Sequence, residues 1–321
     1  MSDGIAWTST ALLFPGQGSQ QVGMGADLAA AFREAAAVYE EADRILGRSL
    51  SSVCFEGPAE VLDETSTTQP ALYVTGIATL RALESLVGPI TPLAVAGHSL
   101  GEFTALTAAG ALPFEVGVRL VQERGRLMRE TGERLPGAMA ALLGVEIADA
   151  RDICAQATAE TGAPVAIGND NCPGQVVLAG AVPAVERAVE LAKARGIKRA
   201  VRLAVSVAPH SPAMADAAEA FRAVLASVPF ETPRVPIIGN TSAAPLHTVE
   251  DIRAELSAQL TETVLWTDSV RLLRTMGAQT FVEFGPKDVL TGLLKRIDRD
   301  AVGIALNSAE AVHALGARAA G

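Results

Sequence analysis

Cysteine, histidine and positive charge are all in short supply in this chain. Its three cysteines, Cys54, Cys154 and Cys172, are odd in number and far apart, with no CxxC pair. That excludes a disulfide framework and a structural zinc site, and it fits a reducing cytoplasm. Against 36 Asp and Glu there are only 26 Lys and Arg, for a net charge of −10 and a pI near 5.0. The chain as a whole therefore exerts no long-range attraction on nucleic acid or an anionic membrane. No apolar run reaches the roughly 20 residues of a membrane span. The N-terminal MSDGIAWTSTALLFPGQG lacks the basic and long apolar regions of a signal peptide. What the sequence does hold is apolar residue, 49% of its 321 positions, enough for a sizeable core. A soluble, cytoplasmic protein is expected.

Short apolar runs alternate with longer Ala-rich amphipathic stretches, the rhythm of an α/β protein with a mainly parallel sheet. Ala11–Phe14, Leu93–Ala96, Val235–Gly239 and Thr280–Phe284 read as buried strands closed by Gly, Asn or Pro, and Glu102–Ala109 as a helix. Between them the pattern changes to strand (Ala138–Val145), helix (Ala148–Thr161), strand (Gln175–Ala179), helix (Ala184–Arg195) and strand (Arg199–Val205). That order can close into a ferredoxin-like α+β unit. The expected organisation is a large hydrolase-like α/β domain, residues 1–133 and 206–321, with a small ferredoxin-like domain, 134–205, inserted. The Ala-rich tail after Asn307 is expected to fray.

Gly97-His98-Ser99-Leu100-Gly101 lies where a predicted strand runs straight into a predicted helix, the context of a nucleophile elbow. Its glycines permit a sharp turn that leaves the Ser99 hydroxyl exposed, and the Leu100 N–H at the helix start could face a developing oxyanion. A Gly-rich turn in which Ser99 merely caps the helix is the plainer alternative. A serine nucleophile needs a base, and the chain has four histidines. His98 adjoins the serine and the turn points it away; His247 follows Pro245 in a loop; His313 sits in the tail. His210, in Ala208-Pro209-His210-Ser211-Pro212 between a strand and a helix starting near Ala213, is left as the base. Phe14-Pro15-Gly16-Gln17-Gly18 could bring Gln17 to the same sheet edge. Taken alone it fits phosphate binding or a plain turn equally well, although GxxxxGK[ST] is missing.

FPGQGSQ, GHSLGE, ERGRLM, NDNCPGQVV, PHSPAM, QLTETVLW and EFGPKDVLTGLLKR, in this order over nearly the whole chain, resemble the malonyl-CoA:acyl-carrier-protein transacylase family. That family includes the stand-alone acyltransferases that serve polyketide synthases. The resemblance implies an active site in a cleft between a hydrolase-like domain and an inserted ferredoxin-like one. It implies that Ser99 forms an acyl-enzyme, that His210 is its base, and that the Gln17 and Leu100 amides form the oxyanion hole. The histidine would be held by the main-chain carbonyl of Gln259. Arg124 would grip the free carboxylate of a dicarboxylic acyl group with its planar guanidinium; read without the family it is a solvated helix arginine. Met128, Asn169 and Asn171 would line the acyl pocket, and His98 and Pro209 are counted with the substrate-binding positions. The substrates implied are an acyl-CoA and the phosphopantetheine thiol of an acyl carrier protein, with no metal and no tightly bound cofactor.

One position departs from the family. Where many of its domains carry Phe or Ser before the histidine, this chain has Pro209, so malonyl, methylmalonyl and bulkier units all stay open. Carrier proteins are usually acidic, as is this chain. Two basic groups, Lys193, Arg195, Lys198, Arg199 and Arg202, and Lys287, Lys295, Arg296 and Arg299, are offered as docking patches or as plain solvated faces. A proofreading hydrolase using the same serine, and a silent carrier-binding subunit, are the competing readings.

Overall fold

The computed structural model describes residues 5–203 and 205–319. The large sheet has six strands in the order β10-β9-β1-β2-β7-β8. These are β1 (Thr10–Phe14), β2 (Ala94–Gly97), β7 (Ile237–Ile238), β8 (Pro245–Leu246), β9 (Thr280–Phe284) and β10 (Val302–Leu306). All neighbours run parallel except β7 and β8. Every residue of β1 and β2 is buried, because helices cover both faces and a parallel sheet of this kind has no solvated side. One face packs Leu12, Phe14 and Val95 against the long helices Thr65–Val87 and Phe114–Arg134. The other packs Leu13, Ala96 and Phe281 against Trp266, Val270 and Leu294.

The small sheet has the order β4-β5-β3-β6, all antiparallel, from β3 (Gly137–Leu143), β4 (Val165–Cys172), β5 (Gln175–Ala181) and β6 (Arg199–Arg202). With helices Ile147–Thr161 and Val182–Ala194 between strands, this is the ferredoxin-like pattern. The sequence reading missed β4. Its second half, Gly168-Asn169-Asp170-Asn171, carries no apolar alternation and its register shifts twice against β5, because this edge does not pack into the small core. It pairs across the cleft instead: Asp170 N–H donates to Val264 O at 2.9 Å and Val264 N–H to Gly168 O at 2.9 Å.

Other expectations need correction. The run Val235–Gly239 yields only the two-residue β7, since Pro236 has no N–H for the ladder and uses its carbonyl to accept from Val95. The strand expected to reach Val205 stops at Arg202; Leu203 makes one more bond, to Met139 O, and Ala204 lies outside the described residues. The tail does not fray through its described length. Ala309–Ala319 is a helix that buries Val312 and Leu315, and the ring of His313 packs at 4.6 Å from Phe32. Ala320 and Gly321 lie outside the described residues, as do residues 1–4 of the N-terminal segment. The helix expected near Ala213 starts at Ala215, after a short 3-10 turn over Pro212–Met214.

Candidate active site

In a parallel sheet, ligands are met at the carboxyl ends of the strands, and four such ends converge here. β1 delivers the Pro15–Gln20 loop, β2 the elbow at Ser99, β7 the turn at Asn240, and β9 the turn at Lys287. The elbow is as tight as the sequence implies. Ser99 sits at φ 52, a left-handed conformation costly for a residue with a side chain. Its neighbours must be glycine: a Cβ on Gly97 would lie 1.9 Å from the Gly101 carbonyl, and one on Gly101 would lie 1.9 Å from Phe14 O. Asn240 braces the turn, accepting from Ser99 N–H (2.6 Å) through Oδ1 and donating from Nδ2 to Gly97 O (2.6 Å).

Ser99 Oγ lies 2.7 Å from His210 Nε2, and His210 Nδ1 lies 2.7 Å from the main-chain oxygen of Gln259. A carbonyl can only accept, so Nδ1 carries the proton and Nε2 presents a lone pair to the serine. His210 is itself in a left-handed conformation, φ 61, and buried. Burial first, then the Arg124 charge, push its pKa down to about 3, so the ring is neutral and able to act as a base across the physiological range. Among the described residues the main-chain N–H groups of Leu100 and Gln17 donate to no hydrogen bond, while the Gln17 side chain donates to Thr65 Oγ1 (3.3 Å). The Gln17 loop rests directly on the elbow, where a Cβ on Gly16 would meet His98 O at 2.4 Å. Lys287, offered above as a docking residue, instead ties this loop down, donating from Nζ to Gln20 O (3.0 Å) and Gly18 O (3.3 Å).

Arg124 is no solvated helix residue. It is 1% exposed, with Nη1 donating to Gln69 Oε1 (2.8 Å) and Nη2 to Gln259 Oε1 (2.8 Å) and to Ser99 Oγ (3.3 Å). Nε has no partner among the described residues. Burial lowers its pKa to about 10, still far above neutrality, so a full positive charge stands beside Ser99. Met128 lies behind it, its Sδ accepting from Gln69 Nε2 (3.0 Å). Its neighbours Arg126 and Arg129 pair with Glu123, Glu130 and Glu133 on the surface of the same helix.

The small domain supplies the opposite wall. His98 meets the small domain, with Nε2 2.8 Å from Asn171 Oδ1 and its ring 5.5 Å from Trp266. Burial lowers the His98 pKa. The amide of Asn169 has no hydrogen-bond partner among the described residues, and Pro209 is half-buried, its carbonyl near Gly168. Three residues with central positions went unassigned in the sequence: Gln69, Asn240 and Glu102. For Glu102 the signal was there, a lone acid in the apolar run Gly101-Glu102-Phe103-Thr104-Ala105-Leu106, all of it buried.

A strained serine on a strand-to-helix turn, bonded to a neutral buried histidine beside two unspent main-chain amides, is the geometry that serine enzymes of the acyl-enzyme class require. The model of the acyl transferase domain matches residues 11–312. The malonyl CoA-acyl carrier protein transacylase of Bacillus subtilis is 43% identical over 94% of this chain and 95% of its own length. Among solved structures, the malonyl-CoA:acyl carrier protein transacylase of Xanthomonas oryzae superposes with a TM-score of 0.93 at 39% identity, covering 98% of this chain and 99% of that one. A malonyl-transacylase solved in complex with its type II polyketide acyl carrier protein superposes with a TM-score of 0.91 at 39% identity, over 96% and 98%. The chain belongs to the acyl transferase family, in its malonyl CoA-acyl carrier protein transacylase branch.

Proposed function

We propose that this protein moves a malonyl-type group from CoA to the phosphopantetheine thiol of an acyl carrier protein, for fatty-acid or polyketide assembly. One observation carries the reading: the buried guanidinium of Arg124 lies 3.3 Å from Ser99 Oγ, itself 2.7 Å from His210 Nε2. On a malonyl ester of Ser99 the free carboxylate is one methylene beyond the ester carbonyl. That is within reach of the same guanidinium. The Ser99 contact is the longest of the Arg124 hydrogen bonds and the one a carboxylate would replace, with a charge-assisted pair in its stead.

In the first half-reaction His210 takes the Ser99 proton as Oγ attacks the thioester carbon, and the oxyanion is met by the Leu100 and Gln17 amides. The C–S bond breaks, Nε2 passes its proton to the departing CoA sulfur, and CoA leaves as the thiol with His210 neutral again. In the second half, His210 deprotonates the carrier thiol, the sulfur attacks the Ser99 ester, and the proton returns to Oγ. The Gln259 carbonyl supports the imidazolium in both halves. Met128, Asn169, Asn171, His98 and Pro209 bound the acyl group. The division that serves this chemistry is a small domain, 134–205, inserted in a large one, 1–133 and 206–321. The Gly137 N–H to Ser206 O bond (3.0 Å) joins the two ends of the insertion. A cytoplasmic setting belongs to the reading, supported by three cysteines that are all buried and unpaired; among the described residues no helix is long and apolar enough to cross a membrane.

The test is mass spectrometry of the protein mixed with malonyl-CoA, followed by addition of a phosphopantetheinylated carrier. A malonyl adduct on Ser99 that passes to the carrier is expected. Rapid loss of the adduct to water without any carrier would replace the transferase with a hydrolase.

A further inference from the structure

Gln259 is bound to the site twice, and its two functions differ. Its main-chain oxygen orients His210. Its side-chain oxygen accepts from Arg124, while its side-chain nitrogen donates to Ser99 O (2.9 Å) and to Glu102 Oε2. A glutamine amide is nearly symmetric in shape but opposite in polarity at its two ends. Turned over, the same side chain would aim N–H groups at the guanidinium, which has only donors to offer. Ser99 O, which can only accept, favours this orientation from one side, and a second element locks it.

We propose that Glu102 is that element, a positioning residue that sets the polarity of the Gln259 amide and through it aims Arg124 at the acyl carboxylate. The inference rests on the carboxylate-binding reading of Arg124. Glu102 is fully buried in the first turn after the elbow. Oε2 accepts from Gln259 and Oε1 from Asn240 N–H (3.2 Å), so both oxygens act as acceptors. With each Glu102 oxygen engaged by an N–H group, it is the NH2 end of the amide that faces Glu102, and Gln259 Oε1 is turned towards Arg124. Burial, and after it the nearby Glu255, push the Glu102 pKa well up, with the Gln259 and Asn240 hydrogen bonds and the Arg124 charge acting against that rise. The interposed glutamine keeps Glu102 and Arg124 from closing a direct pair, which would occupy the guanidinium that the substrate needs. Gln69 holds Nη1 from the far side. Arg124 is thus gripped by two neutral amides.

Glu102→Gln tests this, because the new amide can show either end to Gln259 and no longer dictates its orientation. Ser99 acylation is followed by rapid quench with malonyl-CoA and with acetyl-CoA, which has no carboxylate, alongside thermal melting. The malonyl-to-acetyl rate ratio is expected to fall about ten- to a hundredfold, the worth of a hydrogen bond to a charged group. A merely structural defect lowers both rates together and leaves the ratio where it was, and that result overturns the proposal. Gln259→Leu, which keeps the main-chain carbonyl, should lower the ratio similarly; adding Glu102→Gln to it should lower the ratio no further. Should Glu102→Gln fail to fold, an unchanged ratio in Gln259→Leu alone overturns the relay. Arg124→Ala is run in parallel. A lost preference there with an intact one in Glu102→Gln sinks only the relay, whereas an intact preference in Arg124→Ala sinks the carboxylate reading and the relay with it.

Discussion

Ser99 lies within hydrogen-bonding reach of both His210 and Arg124, and the electrostatics of the three bear on reactivity as much as their contacts do. Burial, and after it the Arg124 charge, hold His210 neutral, so the base is available well below the ordinary imidazole range. The rate of Ser99 acylation should therefore stay flat as pH falls past 6.5, with its acid limb displaced downward. Removing the nearby positive charge in Arg124→Ala should move that limb up, measured as the pH profile of kcat/KM for acetyl-CoA. Ser99→Ala, which deletes the nucleophile, should reduce transfer by on the order of 10⁶-fold, with no acyl adduct in the mass spectrum.

At the scale of elements, the elbow depends on missing side chains. Gly101 packs the start of its helix against the β1 carbonyl of Phe14 so closely that no Cβ fits. Gly101→Ala should cost at least the roughly 1–3 kcal/mol of an overpacked core, read from denaturant unfolding, and should slow acylation because the elbow and the Gln17 loop shift together. Lys287 acts in the opposite sense, adding a contact in place of removing one. Its ammonium crosslinks the carbonyls of the Gln17 loop to the turn after β9. Lys287→Ala should leave the melting temperature nearly unchanged while lowering kcat, by less than the 100- to 1,000-fold of a deleted oxyanion donor, since the amide remains but is less well aimed.

Over the whole molecule, the two domains are joined by β4. Besides its ladder to Val264, it receives Thr263 Oγ1 at Ile167 O (2.7 Å) and Thr267 Oγ1 at Asp170 Oδ1 (2.9 Å). Arg296 adds a clasp at the β4–β5 turn, donating to Gln175 Oε1 (2.8 Å) and Pro173 O (3.1 Å). Arg202 and Arg195 are engaged as well, with Glu186 and Gln156. Of the basic residues offered for docking, Lys193, Lys198, Arg199, Lys295 and Arg299 remain exposed without a side-chain hydrogen bond or ion pair among the described residues. Charge reversal at Lys295 and Arg299 should slow transfer to an acidic carrier severalfold and flatten its salt dependence, with acylation by malonyl-CoA unaffected. Global stability carries its own pH signature. His210 and His98 are buried neutral and the unfolded chain takes up their protons first, so stability should be full above about pH 6.5 and fall as pH drops from there towards 3, read from urea midpoints. The buried thiols of Cys54 and Cys154, pushed up to about 12 by burial, should stay unreactive to thiol reagents until the protein unfolds.

The sequence by itself determined the parts whose physics is local. Period and punctuation marked β1, β2 and β9 to within a residue or so, and Gly-x-Ser-x-Gly between a strand and a helix marked the elbow, because backbone sterics act between neighbours in the chain. Elimination among four histidines reached His210 for a different reason, scarcity. Only the tertiary structure decided the rest. β4 was invisible because its polar residues answer to a segment some 95 positions further on, as the Asn169–Val264 pairing illustrates. Lys287 and Arg296 looked like free surface charge until the fold set carbonyls in front of them. Glu102 carried its signal, an acid in a buried run, but its meaning lay in the polarity of Gln259, a partner 157 residues away. Hydrogen-bond direction between such distant groups leaves no pattern in composition or spacing; it exists only once the chain has closed around it.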